Sequence, residues 1–320
     1  MENRAAHGFR AVVIGGSAGA LDALLTMVAQ LPADFEAAVF VVIHVPGSSV
    51  SALPHLVARH SALFATHAID RAPIAPGRIV IAQPDHHLII EDGVMRSVRG
   101  PLENSHRPSI DVLFRSAAMA FDSSACGVLL SGALDDGVAG LLAIHEAGGT
   151  TFAQDPDDAQ FADMPCNAIR TGKIDGVYPA DGLVGAIRAW TAAPSVRSHA
   201  PAPLDERENG VPSVFTCPDC GGTLWEADQG SVLRFRCRTG HAYSGHSMLS
   251  THAERLEAAL WASVRALEER RDLLSRLISR FNGEQSPMLR RFERQRREVE
   301  ADLERIRLAV GKVSGQDSPS

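Results

Sequence analysis

The chain has 320 residues, 45% of them hydrophobic and 22% charged, with a formal net charge of -7. That length suits one sizeable domain with a smaller appendage, and the balance is that of a globular protein with no overall pull toward nucleic acid. No run approaches the roughly 20 apolar residues of a membrane span, and "MENRAAHGFR" carries no apolar leader core, so a cytoplasmic protein without membrane insertion is expected.

From residue 10 to about 190, short β-type runs alternate with helical patterns. "FRAVVIG", "AAVFVVIH", "GRIVIAQP", "CGVLLSG" and "GGTTFAQ" are near-continuously apolar, as strands buried on both faces of a parallel sheet are. Between them Leu21, Leu24, Leu25 and Val28 form one helical face, Val112, Leu113, Ala117 and Phe121 a second, and Leu141, Leu142 and His145 a third. This alternation predicts an α/β fold built on a doubly wound parallel sheet. "HHLIIEDGVMRSV" instead reads as a β-hairpin turning at Asp92-Gly93.

Residues 191–212, "TAAPSVRSHAPAPLDERENGVP", lack periodicity and read as an exposed linker, which closes the first domain at 8–190. A small zinc ribbon is expected over 213–247, a helical hairpin over 248–312 and a disordered tail over 313–320. The ribbon rests on Cys217-Pro218-Asp219-Cys220 followed by Cys237-Arg238-Thr239-Gly240-His241, a C-x2-C and a C-x3-H pair. Each pair can form one knuckle of a tetrahedral zinc site, and four protein ligands leave no open position, so the zinc is structural. His246 and His252 are less suitable ligands, and "TLWEAD" and "SVLRFRC" read as two strands between the pairs. Beyond them Leu256, Leu260, Val264, Leu267, Leu274 and Phe281, then Phe292, Val299, Leu303, Ile306 and Val310, stripe two antiparallel helices. Glutamates interleave the basic residues of "RRFERQRREVE", which suits a solvated face rather than a nucleic-acid surface.

Gly15-Gly16-Ser17-Ala18-Gly19 fits G-x-S-x-G at a strand-to-helix turn. Such a turn can present a nucleophilic hydroxyl beside unpaired helix N-H groups, or serve as a structural cap or phosphate-binding turn. A serine nucleophile needs a base, and in a parallel sheet the carboxyl ends of all strands share one edge. His44 follows "AVFVVI" and Asp136 follows "GVLLSG", so all three residues fall at that edge. His86, His87, His106 and His145 compete for the base, but the first two lie in or near the hairpin and the last on a helix. The order Ser, His, Asp departs from that of α/β-hydrolases.

Taken jointly, "IGGSAGALDAL", "VVIHVP", "APGRIVIAQPDHHLII", "RPSIDVLFRSAA", "GVLLSGALDDGVAGL", "GGTTFAQDPDDAQFADMPCNAI" and "LVGAIRAW" resemble the catalytic domain of chemotaxis protein-glutamate methylesterases, the CheB family. The resemblance covers residues 10–190 and implies Ser17 as nucleophile, His44 as general base and Asp136 as the carboxylate that orients it. It implies hydrolysis of glutamate methyl esters on a helical protein substrate such as a chemoreceptor cytoplasmic region, glutamine deamidation, and no catalytic cofactor. Oxyanion donors are expected near Ala18 and Ala133. Where the family commonly reads G-M-G-N-D-G, this chain has Gly132-Ala133-Leu134-Asp135-Asp136-Gly137. Leu134 is expected to strain or narrow the loop, and the Asp135 charge to act on the histidine. No receiver domain precedes the likeness in this sequence, so phosphorelay control in cis is not expected. The rival readings are a non-enzymatic signalling adaptor that keeps the fold and binds a protein partner through the C-terminal arm, and a small-molecule esterase; in the enzyme the arm is expected to bind a partner or regulate, the alternative being that it only stabilises the fold.

Overall fold

The computed structural model describes residues 8–44, 51–193, 210–229, 232–281 and 286–313; most of the expected linker and the expected disordered tail from residue 314 lie outside them. The first part of the chain runs β1 (Ala11–Gly16), α1 (Ala20–Val28), β2 (Ala38–Ile43), α2 (Leu53–His60), β3 (Phe64–His67), β4 (Arg78–Ile81), β5 (His87–Glu91) and β6 (Val94–Val98). It continues α3 (Ile110–Phe121), β7 (Ala125–Leu129), α4 (Val138–Glu146), β8 (Thr150–Gln154), α5 (Asp163–Arg170), β9 (Gly176–Tyr178) and α6 (Ala180–Ala192). Seven of these strands form one sheet in the order β3-β4-β2-β1-β7-β8-β9, and every pairing in it is parallel. This is the doubly wound sheet that the alternating pattern predicts.

Successive strand residues face opposite cores, which is why the strands read as continuous apolar runs. Val12, Ile14, Val39 and Val41 pack with α1, α2 and α6 on one side. Ala11, Val13, Phe40 and Val42 pack with α3, α4 and α5 on the other. The buried face of α1 is Ala20, Ala23, Leu24, Met27 and Val28, whereas Leu21 is 38% exposed. The helix begins at Ala20, so the residues at i, i+4, i+7 and i+8 turn inward and Leu21 falls on the rim. Strands β3 and β9 have four and three residues and occupy the sheet edges, too short to leave an apolar run in the sequence. The hairpin β5–β6 turns at Asp92 and Gly93, both at positive φ (48° and 79°), as a tight primed turn requires.

A second sheet is antiparallel, in the order β10 (Val211–Thr216), β11 (Thr223–Gln229), β12 (Val232–Cys237) and β13 (Ala242–Ser244). The two expected ribbon strands are its middle pair, and β10 starts inside the stretch expected to be linker. Cys217, Leu224, Phe235, Cys237, Tyr243 and Met248 form its small core. This sheet belongs to the same compact unit as the first, Met1–Met248. Residues Leu249–Ser320 make a second unit. There, helices α7 (Gly245–Ser279) and α8 (Pro287–Val313) bury Val264, Leu303 and Val310 with Leu260, Leu267 and Ile306 against them. The Phe281 and Phe292 rings meet with centroids 6.0 Å apart, and Leu256 is 52% exposed, outside the seam. No helix among the described residues is long and apolar enough to cross a membrane.

Helix α3 lies close across β1 and against α4 because a glycine on each lets it. A Cβ on Gly15 would stand 2.1 Å from Ile110 Cγ2, and one on Gly140 2.4 Å from Phe114 Cβ. Gly15→Ala should therefore cost about 1–3 kcal/mol through overpacking, read as a lower urea midpoint at unchanged slope. An unaltered midpoint would mean that α3 is not seated there.

Candidate active site

At the end of β1 the chain turns through Ser17 and Ala18 to Gly19, whose φ of 73° leads into α1. The Ser17 N-H donates to the Ser131 carbonyl at 2.9 Å, which ties this turn to the end of β7. His44, directly after β2, donates its N-H to the Gly16 carbonyl at 3.1 Å. Three adjacent strands, β2, β1 and β7, thus deliver His44, Ser17 and Asp136 to one edge. The Ser17 Oγ lies 3.2 Å from His44 Nδ1, and His44 Nε2 lies 2.9 Å from Asp136 Oδ2. With the carboxylate accepting from Nε2-H, the neutral ring turns its Nδ1 lone pair toward the serine hydroxyl.

Asp136 is 2% exposed. Its Oδ2 accepts a second bond from the Ile110 N-H at 2.7 Å, and its Oδ1 accepts from Asn104 Nδ2 at 2.8 Å, Ser109 Oγ at 2.9 Å and the Asp111 N-H at 3.3 Å. Two of these donors are the first N-H groups of α3, so the carboxylate also satisfies a helix N-terminus and its partial positive charge. Burial alone would raise its pKa, but the bond and charge of His44 and the Asn104 amide outweigh it and hold the group below the usual carboxylate range.

The competing histidines have other tasks. His87 is buried, donates from Nε2 to the Pro101 carbonyl at 2.8 Å and accepts the Ser109 N-H on Nδ1 at 3.2 Å; burial lowers its pKa. His145 closes the last turn of α4. His106 stacks on His44, with ring centroids 3.7 Å apart and planes inclined by 19°. Asn104 and Ser109 carried no assigned role in the sequence, and His106 only that of a competing base. The only signal was that Ser109 lies in "RPSIDVLFRSAA" and that Asn104 and His106 stand just before it.

The loop after β7 is pinned beside the serine. Ser131 Oγ donates to the Ala18 carbonyl at 2.8 Å and accepts the Phe161 N-H at 2.9 Å, while the Gly132 N-H donates to the Phe161 carbonyl at 3.0 Å. A Cβ on Gly132 would stand 2.9 Å from Ser17 Cβ, so the loop approaches as closely as a glycine allows. Leu134 has φ of 63°, the left-handed region that disfavours its side chain, and its carbonyl is held by Asn167 Nδ2 at 2.7 Å. The strain expected from Leu134 is thus present. The Asp135 carboxylate accepts from Ser244 Oγ at 2.6 Å and Ser247 Oγ at 3.2 Å, with His246 Nδ1 at 3.4 Å. Among the described residues, neither the Ala18 nor the Ala133 N-H is taken by a protein acceptor.

In the second sheet Cys217, Cys220, Cys237 and His241 bring their ligand atoms within 4.8 Å of one another. The Cys220 and Cys237 sulfurs are 3.7 Å apart, and His241 Nδ1 is 3.6 Å from Cys217 Sγ and 3.5 Å from Cys237 Sγ. Those are the edges of a tetrahedron with zinc bonds of about 2.0–2.3 Å. Gly221 (φ 70°) and Gly240 (φ 104°) turn the two knuckles. The Gly222 backbone, then Thr239 and His241, pull the Cys220 thiol down to about 6, while burial pushes Cys217 up to about 11. The donor set fits zinc, and His246 faces Asp135 instead.

A serine hydroxyl, an imidazole and a buried carboxylate in hydrogen-bonded line at the carboxyl edge of a doubly wound sheet have the geometry of a serine-hydrolase site. Residues 12–187, more than half of the chain, match the family model for CheB methylesterase, and the chain belongs to that family. It is 36% identical over 181 residues to protein-glutamate methylesterase/protein-glutamine glutaminase 5 of Myxococcus xanthus (strain DK1622), covering 55% of this chain and 52% of that protein. It is 38% identical over 180 residues to protein-glutamate methylesterase/protein-glutamine glutaminase 2 of Anaeromyxobacter dehalogenans (strain 2CP-C), covering 56% and 53%. The chain therefore spans about half the length of the curated relatives it matches. The crystal structure of the Thermotoga maritima CheB methylesterase catalytic domain superposes with a TM-score of 0.55 at 29% identity, covering 57% of this chain and 98% of that one. Residues beyond the matched region, with the Cys-His cluster and the two long helices, are additional to it.

Burial, then the closeness of His44, lowers the His106 pKa to about 4. Its ring should titrate by NMR with a midpoint near 4, and a midpoint above 6 would contradict the stacked, desolvated placement. Because the folded value lies below the unfolded one of about 6.5, this group subtracts stability as pH falls from about 6.5 towards 4 and not above that window.

Proposed function

We propose that this chain hydrolyses methyl esters of glutamate side chains on a helical protein substrate, such as the cytoplasmic region of a chemoreceptor, with Ser17 as nucleophile. The observation that carries this reading is the line Ser17 Oγ to His44 Nδ1 to Asp136, at 3.2 and 2.9 Å. The relatives are named for both glutamate methylesterase and glutamine glutaminase activity, and the same chemistry serves both with methanol or ammonia as the leaving group.

His44 Nδ1 accepts the hydroxyl proton as Ser17 Oγ attacks the ester carbonyl carbon, and Asp136 stabilises the imidazolium formed. The tetrahedral oxyanion is met by the Ala18 and Ala133 N-H groups, each such donor being worth about 3 kcal/mol in the transition state. Collapse breaks the bond to the methoxy oxygen, which takes the proton from His44 and leaves as methanol. Water then attacks the acyl-serine and gives a proton to His44; collapse breaks the bond to Ser17 Oγ, which takes that proton back from His44 as the free glutamate side chain leaves. No step calls for a catalytic cofactor, and the reading places the protein in the cytoplasm with its substrate. The Cys217, Cys220, Cys237 and His241 set holds a structural zinc, which contributes folding free energy to the ribbon and no chemistry.

Methanol release from methylated receptor helices should fall by about 10⁴-fold or more in Ser17→Ala and about 10⁴-fold in Asp136→Asn. A serine-directed phosphonate should label Ser17 in the parent chain. Neither release nor labelling in a folded preparation would favour the adaptor reading, and turnover of short acyl esters alone would favour a small-molecule esterase. Metal analysis should find one zinc per chain, lost in Cys237→Ser together with ribbon stability; a metal-free chain of unchanged melting would reject the zinc assignment.

A further inference from the structure

Arg234 sits on β12, beyond the part of the chain that matches the family, yet it is 1% exposed. Its Nη1 donates to Asp111 Oδ2 at 2.7 Å and its Nη2 to Glu103 Oε1 at 2.5 Å. Both carboxylates belong to the family-matched region and are buried, at 0% and 4% exposure. Glu103 has a second cation in Arg115, at 2.6 and 2.8 Å. Burial opposes the Glu103 charge, and Arg115 and Arg234 together hold its carboxyl well below the usual range.

From there the contacts lead inward. Asp111 Oδ1 accepts the N-H groups of Gly137 at 3.0 Å and Gly140 at 2.7 Å, which fixes the chain directly after Asp136. Asp111 Oδ2 accepts Asn104 Nδ2 at 2.9 Å, and the same amide nitrogen donates to Asp136 Oδ1 at 2.8 Å. The other end of Asn104 is held by the ribbon: its Oδ1 accepts the Ser244 N-H at 2.8 Å and its own N-H donates to the Ala242 carbonyl at 2.8 Å. Asn104 stands at φ of 52°, so its side chain is aimed by a backbone conformation that these bonds maintain.

We propose that the ribbon is a working part of the hydrolytic site, in which Arg234 through Asp111, and β13 through Asn104, act as positioning elements that set the Asp136 carboxylate and with it the tilt of His44. The proposal rests on the ester-hydrolysing reading above. Its physical basis is that the buried Asp111 and Glu103 carboxylates stay charged out of water because cations stand beside them: Arg234 meets both, Arg115 meets Glu103, and Arg236 Nη2 lies 3.7 Å from Glu103 Oε2. Burial pushes the Asp111 carboxyl up to about 6, and Arg234 is the strongest pull against it. Without Arg234 that carboxyl gains a proton near neutral pH and becomes a donor where the site needs an acceptor. Asn104 then loses one of its two anchors on the catalytic side.

The test compares the full chain with Arg234→Met, which keeps bulk without charge, and Arg234→Lys. In a folded, zinc-loaded Arg234→Met chain, kcat for methanol release should fall about 10- to 100-fold with KM changed by less than about threefold, because geometry and not binding is disturbed. Arg234→Lys should recover part of the loss, which a general packing defect would not allow. The low-field NMR signal of the proton shared by His44 Nε2 and Asp136 should shift or vanish in Arg234→Met. A folded Arg234→Met chain with parental kcat and an unmoved signal overturns the proposal. If the parent itself releases no methanol, the ester reading fails, and the low-field signal alone decides for or against the positioning role. If Arg234→Met does not fold, Asn104→Ala takes its place with the same two readouts and the same overturning result.

Discussion

A carboxylate taken out of water must have each oxygen met by donors, or it protonates. Asp136 meets that demand with five: the His44 ring, the Asn104 amide, the Ser109 hydroxyl and the Ile110 and Asp111 backbone. Together these donors place three neighbouring elements. The imidazole fixes the end of β2, the two N-H groups fix the start of α3, and the amide fixes the loop before it. Much of the local architecture can be read as the means of keeping one negative charge buried at the carboxyl edge of the sheet.

The parallel sheet makes this arrangement possible at small cost in irregular structure. Because β2, β1 and β7 are neighbours and point the same way, short turns after each strand suffice to converge three side chains. Glycines at 15, 16, 19 and 132 then let helix, loop and strand approach within distances that a Cβ would forbid. The loop from Ser131 to Gly137 carries the remaining strain, in the left-handed Leu134, and is secured from both sides by Asn167 and by the serines of the ribbon.

The sheet's central strands, the hairpin turn, the strand-end positions of Ser17, His44 and Asp136 and the Cys-His spacing were legible in the sequence, because each follows from local pattern or from the geometry of parallel strands. The edge strands β3 and β9 were not, since three or four residues leave no period to read. The docking of the ribbon was less legible still. "SVLRFRC" alternates like a strand with a solvated face, and nothing in it distinguishes Arg234 from Arg236 beside it, although the first is 1% exposed. Asp135 was legible as a charge next to Asp136 but not as a partner of Ser244, 109 residues away. Such pairings depend on a contact between distant segments, for which one sequence carries no periodic trace.

The Asp111–Arg234 pair joins residues 123 positions apart, far more than the 27 and 92 that separate Ser17 from His44 and His44 from Asp136. Synthesis proceeds from the amino terminus, and domains tend to fold as they emerge. The sheet, its serine and its histidine can therefore assemble while Glu103 and Asp111 still share a single arginine. Only when β12 leaves the ribosome do Arg234 and, 3.7 Å from Glu103, Arg236 arrive. The last strands of the ribbon thus complete a charge balance begun more than a hundred residues earlier: a chain ending before β12 would hold Ser17, His44 and Asp136, yet lack the guanidinium that meets Asp111.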